Sequence, residues 1–255
     1  MEPISFTAHN IKLDDGEQTM PEMGGDVSRY PWFVAAMRIL SLVFPGDKSR
    51  YSVVDLGCLE GGYAVEFARM GFQSLGVEVR ESNFAACQYV KERVNLPNLS
   101  FVRDDVWNIA KYGSFDVAFC RGILYHLERP RTFLELLSKV TKRVIILQTH
   151  FATENPHRTF NLSDLEEWEG ATGRWYTEYF TPPDAETSEQ NKWAAWNNTR
   201  SFWLTRPWIL QSLQEVGFDL VFEQFDGLVP SIVTAMTTGE YCEDRGTFVG
   251  VRTAS

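Results

Sequence analysis

The stretch YSVVDLGCLEGGYAVEFARM, residues 51–70, decides the fold. Ser52 to Leu56 reads as a short buried strand that runs straight into a glycine turn and then a helix. Asp55 closes the strand, Gly57 opens the turn, and Gly61 and Gly62 carry the chain into the helix. Glycines are needed where the backbone takes a positive φ or must lie close to a ligand. A pyrophosphate-binding turn wants positive potential and free helix N–H groups. A carboxylate two residues before the first glycine suits instead a ligand with positive groups, an amine or a sulfonium. The competing reading is a tight turn in which a strand-end Asp caps the helix.

Working outward, the 255 residues are enough for one large domain, and a hydrophobic fraction of 44% suits a globule with a sizeable core. The net charge of −10 comes with no long basic run, which counts against a nucleic-acid partner. Cys58, Cys87, Cys120 and Cys242 are scattered without a C-x-x-C pair, so neither zinc nor a disulfide framework is expected. MEPISFTAHN has neither a basic nor an apolar region of a signal peptide. No apolar run approaches the ~20 residues of a membrane span. A cytoplasmic protein with reduced thiols and no metal is the expectation.

Residues 1–28 are polar with little periodicity, an arm or lid before a ligand-binding core over 29–150. Tyr30 to Phe44 is helical in pattern, with Pro31 at a first helical position. Phe72 to Val79, Leu99 to Arg103, Phe115 to Cys120 and Val144 to Leu147 read as further strands. Ser82 can cap a helix with Ala86, Cys87, Val90 and Val94 on one face, and Pro130 opens another. This alternation implies an α/β protein with a doubly wound parallel sheet. It breaks after His150. Residues 151–205 hold many aromatics and are too long for an ordinary connection, so an aromatic-rich lid insert is expected there. Residues 206–255 return to the core sheet, with a helix from Pro207 and strands at Phe218–Phe222 and Thr247–Val251.

Ligands of such sheets sit at the carboxyl ends of the strands, and polar residues fall there. Glu78, twenty-three residues after Asp55, can accept two ribose hydroxyls. Asp105 follows the third strand and can accept from an adenine amino group. Cys120 ends the fourth, where its carbonyl can receive the amine of a methionine moiety. Each acid could alone be a solvated loop residue, but three at successive strand ends form a pattern.

These segments, VVDLGCLEGGYAVEFA, GVEVRESN, FVRDDVWNI and SFDVAFCRGILYHLERP, resemble the class I S-adenosylmethionine-dependent methyltransferases. HNIKLDDGEQTMP and SFWLTRPWILQSLQEVGF are similar to a subgroup that includes small-molecule and tRNA wobble-uridine enzymes. The resemblance implies a Rossmann-like seven-stranded sheet of order 3-2-1-4-5-7-6, the last strand antiparallel. It implies S-adenosyl-L-methionine as cofactor, with Asp55, Gly57 and Gly61 at the methionine end and Glu78 at the ribose. Val79 would pack on adenine, and Asp105 and the Val106 N–H would meet its edge. The chain departs from the usual D/E-x-G-x-G-x-G at Leu59, which stands at the middle glycine.

Methyl transfer is an in-line displacement that needs a nucleophile held about 3–3.5 Å away and water excluded. A base helps if the nucleophile carries a proton. His150, at the end of the fifth strand, is the first choice, with His126 of YHL as the alternative and Tyr125 and Glu178 behind them. Arg121 could bind a substrate carboxylate or pair with a neighbouring acid. Trp175, Tyr179 and Trp196 of the insert, with Tyr125, are expected to wall an apolar or planar acceptor, unless the insert's aromatics only form its own core. The leading expectation is O- or N-methylation of a small molecule. The alternative is a tRNA-modifying enzyme; a nicotinamide dehydrogenase is disfavoured by the glycine spacing, and a module that binds cofactor without catalysis is the remaining class.

Overall fold

The structure is a computed structural model that describes residues 4–155, 159–225 and 244–253. Helix α1 (Pro31–Val43) precedes strand β1 (Ser52–Leu56). Then come α2 (Gly62–Arg69), β2 (Gln73–Glu78), α3 (Glu81–Glu92), β3 (Leu99–Arg103), β4 (Phe115–Arg121), α4 (Pro130–Val140) and β5 (Thr141–His150). The insert supplies β6 (Glu166–Trp168), β7 (Ala171–Thr177), the short α5 (Ala185–Gln190) and β8 (Arg200–Leu204). α6 (Arg206–Glu215), β9 (Leu220–Gln224) and β10 (Arg245–Val251) close the chain. The main sheet runs β3-β2-β1-β4-β5-β10-β9, with β10 antiparallel to both its neighbours. That is the expected order, once the three insert strands have taken the intervening numbers.

By contacts the chain divides into two compact units: residues 1–119 with 140–142, and residues 120–139 with 143–255. In the first, Val53, Val54 and Leu56 of β1 are fully buried, each stabilising by about 1.5–3 kcal/mol. Phe33 of α1 meets Tyr63 and Phe67 of α2, each at 5.2 Å between ring centres, and Phe119 of β4 lies 5.1 Å from Phe67. α2 is buried all round, Tyr63 through Ala68. Only a covered helix can carry such a sequence. The cover is the N-terminal segment: His9, Asn10, Ile11, Leu13 and Val27 are buried, and Trp32 donates to the Tyr63 hydroxyl at 2.8 Å. The stretch expected as an aperiodic arm is thus packed, with two single-turn 3-10 helices, Pro21–Met23 and Val27–Arg29, and a set of side-chain bonds to hold it. Asn10 binds Gln18 and the Met20 N–H, and Thr19 bridges the His9 carbonyl and the Ile11 N–H.

Ser82 does not cap α3. The helix starts at Glu81 after an extended Arg80, and no side chain caps it. Its expected inner face, Ala86, Cys87, Val90 and Val94, is buried. Cys58, Cys87 and Cys120 are buried cysteines; Cys242 lies outside the described residues. Among the described residues no helix is long and apolar enough to cross a membrane.

In the second unit the insert builds a three-stranded antiparallel sheet, β6-β7-β8, that its irregular mix of polar and aromatic residues did not announce. Its centre is Phe202 and Trp203, both almost fully buried.

Gly61 fixes the entry to α2. It sits at φ 83°, and a Cβ there would lie 2.5 Å from the Phe101 ring. Gly24 has a similar φ of 74° but open space around it. Gly61→Ala is therefore expected to cost about 2–4 kcal/mol, backbone strain plus overpacking, against about 1 kcal/mol for Gly24→Ala. Urea titration of both variants checks this; equal losses would show that Phe101 gives way freely.

Candidate cofactor and acceptor sites

The glycine turn is held from below. The Gly57 and Cys58 N–H groups both donate to the Val77 carbonyl, at 2.9 and 3.0 Å. Leu59 follows at φ 49°, in the left-handed region. It occupies the family's middle-glycine position, and its conformation explains why glycine is usual there. Glu78 compensates: one carboxylate oxygen accepts from the Leu59 N–H and the other from the Arg80 N–H, both at 2.9 Å. Burial pushes the Glu78 carboxyl upward, while bonds from the Arg80 and Leu59 N–H groups oppose the rise.

Around the turn, Glu60 is fully buried and accepts from the Thr7 N–H and hydroxyl at 2.7 and 2.6 Å. His9 Nδ1 accepts from the Gly62 N–H at 3.2 Å. Sequence reasoning missed these N-terminal supports, since more than fifty positions separate them from the turn. Under it, the Cys58 and Cys87 sulfurs lie 3.8 Å apart, and the Cys87 thiol donates to the Leu59 carbonyl. Burial raises both thiols, which keeps them protonated.

Asp55 and Glu78 are each 2% exposed on adjacent parallel strands. Two buried carboxylates repel phosphate and suit a ligand that brings hydroxyl and cationic groups. A carboxylate offers about four lone-pair directions, so Glu78 can hold the turn and still accept from a ligand. The donor chemistry fits S-adenosylmethionine. Val79 and Val106 are half-buried beyond the ends of β2 and β3. Asp105 has one oxygen occupied by the Trp107 N–H at 3.0 Å. Its neighbour Asp104 ties down the loop through Asn108 and Tyr112, at 2.6 and 2.7 Å.

In the second unit β7 and β8 sort the insert's side chains onto two faces, because neighbours along a strand point oppositely. Trp175 lies with Trp168, Phe202 and Arg200, whose guanidinium sits 3.9 Å from the Trp175 ring centre. Tyr176, Glu178, Ser201 and Trp203 take the other face. There His150 stacks on Trp203 at 5.0 Å and 17°, with Tyr125 and Phe160 edge-on at 4.7 and 5.2 Å. His126 lies 4.2 Å from Tyr125, ring centre to ring centre. His126 Nδ1 is 2.9 Å from Glu178 Oε1. His150 Nδ1 is 3.5 Å from Asp244 Oδ1. The Arg245 guanidinium lies 5.6 Å from the centre of the Tyr125 ring. Burial raises the Tyr125 phenol, and the positive charges of Arg245 and Arg121 oppose the rise.

The structure thus brings His126, His150 and Tyr125 together. It puts Trp175 on the opposite face of the β7–β8 sheet from the histidines. Tyr179 donates to the Ala195 carbonyl, and the Trp196 carbonyl accepts from Ser188, both within the insert. Cys120 is fully buried near the end of β4. Tyr176, Phe160, Trp203 and Arg245 were missed. The pairing of β7 with β8 is the signal that selects Tyr176 over Trp175, and it is not visible in a single sequence.

Two outcomes are expected. Asp55→Ala and Glu78→Ala should each weaken S-adenosylmethionine binding by roughly 10- to 150-fold in calorimetry, the loss of one bond to a charged group. Glu78→Ala should also lower stability, by about 1–3 kcal/mol, because it strands the Leu59 N–H. Asp104 gives a pH test. Bonds from Tyr112 and Asn108 lower its carboxyl from 3.8 to about 2. A depressed acid stabilises above its unfolded value and loses that contribution as pH falls through the folded one. The stability gap between wild type and Asp104→Asn should be full above pH 3.8 and close toward pH 2. A gap that stays constant over that range would assign Asp104 no such role.

The comparisons with known proteins agree with this chemistry. A family described as a methyltransferase domain matches residues 47–199, well over half of the chain. The ubiquinone biosynthesis O-methyltransferase of Albidiferax ferrireducens is 29% identical over 92 residues. That alignment takes in 35% of this chain and spans only 36% of that relative's length. Among solved structures, the N-terminal domain of EvdMO1 with SAH bound has a TM-score of 0.62 at 23% identity, covering 85% of this chain and 79% of that one. Magnesium protoporphyrin IX methyltransferase (ChlM) from Synechocystis PCC 6803, with bound SAM, gives 0.54 at 15%, covering 86% and 77%. The 1,6-didemethyltoxoflavin-N1-methyltransferase of Burkholderia thailandensis gives 0.52 at 17%, covering 92% and 84%. At these identities the structures speak for the fold, and the family match for membership: the chain belongs to the class I S-adenosylmethionine-dependent methyltransferases.

Proposed function

We propose that this methyltransferase acts on a small-molecule acceptor, at oxygen or nitrogen, with a histidine of the second unit receiving the acceptor's proton. The observation that carries the reading is the cluster of His126, His150 and Tyr125 with Trp203, Phe160 and Tyr176. Flat apolar walls with a few convergent polar groups are the usual lining of a small-molecule site. The Albidiferax, Synechocystis and Burkholderia enzymes named above act on small molecules by their descriptions, which favours the same class here. The net charge of −10 weighs against tRNA as acceptor.

When bound, S-adenosylmethionine supplies a methyl group on a sulfonium, already activated for displacement. The chain's share is to bind, orient and manage the proton. Asp55, Gly57, Gly61, Glu78, Val79, Asp105, Val106 and the Cys120 carbonyl are proposed to hold the cofactor. Arg121, Tyr125, Tyr179 and Trp196 are proposed on the acceptor side, and residues 1–28 and 151–205 as the elements that close over it.

Incubation with isotopically methyl-labelled cofactor and a metabolite mixture tests the proposal. Label is expected in a small organic acceptor and not in tRNA; label in tRNA alone would reverse the assignment. On the acceptor found, the variant of whichever histidine serves as base should lose turnover by ~10²-fold or more. Cofactor affinity should stay within about threefold. If both histidine variants turn over at the wild-type rate, transfer runs by positioning alone.

A further inference from the structure

We propose that Glu178 is a positioning residue that locks His126 with its proton on Nδ1, leaving Nε2 as the atom that takes the proton of a hydroxyl acceptor. This rests on the small-molecule reading above and narrows it to a hydroxyl acceptor. Three observations carry it. The Glu178 side chain is 1% exposed, yet its carboxylate is surrounded by donors. Oε1 accepts from the Ser201 hydroxyl at 2.8 Å and lies 2.9 Å from His126 Nδ1, and Oε2 accepts from the Ala195 N–H at 3.0 Å. An ionised carboxylate can only accept. A neutral imidazole facing it must therefore present N–H at Nδ1 and keep its lone pair at Nε2.

The backbone around His126 is clamped as well. Asn198 donates to the His126 carbonyl at 2.9 Å, the Trp203 indole to the Tyr125 carbonyl at 2.8 Å, and the Phe202 N–H to the Leu127 carbonyl at 2.9 Å. Three successive residues are thus tied to β8 and the loop before it, which fixes the ring's direction as a catalytic group requires. The His126 side chain is 15% exposed, so it is not sealed from a ligand. His150 differs. Its Nδ1 is 3.5 Å from Asp244, beyond the 2.7–3.2 Å range of a good N–H···O bond, so among the described residues no comparable lock fixes its tautomer.

A base fixed in this way points to the acceptor class. A carboxylate acceptor has already lost its proton at neutral pH, and an amine that arrives unprotonated has a lone pair free. A hydroxyl keeps its proton until attack. In the transfer the O–H bond breaks and the proton passes to His126 Nε2. The oxygen's electron pair forms the new O–CH₃ bond, and the C–S bond releases its pair to sulfur. The imidazolium that results sits against the Glu178 carboxylate and then returns its proton to solvent.

The test is Glu178→Gln together with ¹⁵N spectroscopy of His126. In the wild-type protein, without any acceptor, His126 should be the tautomer with Nδ1 protonated and Nε2 bare. Glutamine keeps one acceptor oxygen for Ser201 or Ala195 and can donate an N–H to Nδ1, which moves the histidine proton to Nε2. The variant should therefore show the reversed tautomer. On the acceptor found by labelling it should lose kcat by about 10²–10⁴-fold, with KM and cofactor affinity within about threefold. His126→Ala should lose as much, and the double variant little more, as residues acting as a unit do. A wild-type His126 with Nε2 protonated would overturn the proposal even if Glu178→Gln failed to fold. So would an unchanged kcat in that variant, or methylation of amines with no hydroxyl acceptor. If no small molecule is labelled at all, the small-molecule reading fails, while the tautomer still decides whether Glu178 positions His126.

Discussion

The glycine turn after β1 depends on one buried carboxylate. Leu59 in the left-handed region costs about 1–2 kcal/mol, and a hydrogen bond to a charged group returns about 1.5–3 kcal/mol. The bond from the Leu59 N–H to Glu78 is therefore of the right size to hold a turn that glycine would adopt freely. The second Glu78 oxygen, on the Arg80 N–H, ties the same carboxylate to the start of α3. One side chain thus sets the glycine turn against β2 and holds the residue that precedes the next helix. Because burial disfavours its charge, Glu78 gains from every donor aimed at it.

The N-terminal segment follows the same logic from the other side. Helix N-termini leave N–H groups without intrahelical partners. His9 meets the Gly62 N–H, and Glu60 is held by Thr7. A helix whose sequence is apolar on both faces then has a covered outer surface. A Cβ at Gly62 would strike Val27 at 2.8 Å and His9 at 2.9 Å, so the small residue and the close approach of the segment go together.

Much of this was legible in the sequence, for identifiable reasons. Ser52–Leu56 and Leu99–Arg103 were readable to the residue because glycine, proline and acidic residues punctuate them. The start of α3 was misread because Ser82 has the right chemistry for a cap in the wrong place; Arg80 is extended and Glu81 already helical. The insert was legible as an anomaly but not as a sheet. In β7 the adjacent Trp175 and Tyr176 are both aromatic, so alternation gives no clue to which one faces the histidines. The partner of His126 lies fifty-two residues away. Glu178 was ranked behind the histidines, because its bonds to Ser201 and Ala195 are supplied only by the folded insert.

Burial of Glu178 has a consequence that reaches the chemistry. A carboxylate removed from water costs several kcal/mol unless donors surround it, and an apolar side chain of similar volume would avoid that cost. Packing alone gives no reason for an acid at this position. Two of its donors, a hydroxyl and a backbone N–H, are neutral and cannot cancel its charge. The acceptor oxygen is left facing the imidazole, where the neutral ring must present its proton on Nδ1. The same two bonds that make the acid tolerable in the interior stop it from turning away. The fold spends stability at Glu178 on fixing where a proton sits, just as it spends a left-handed leucine at the glycine turn.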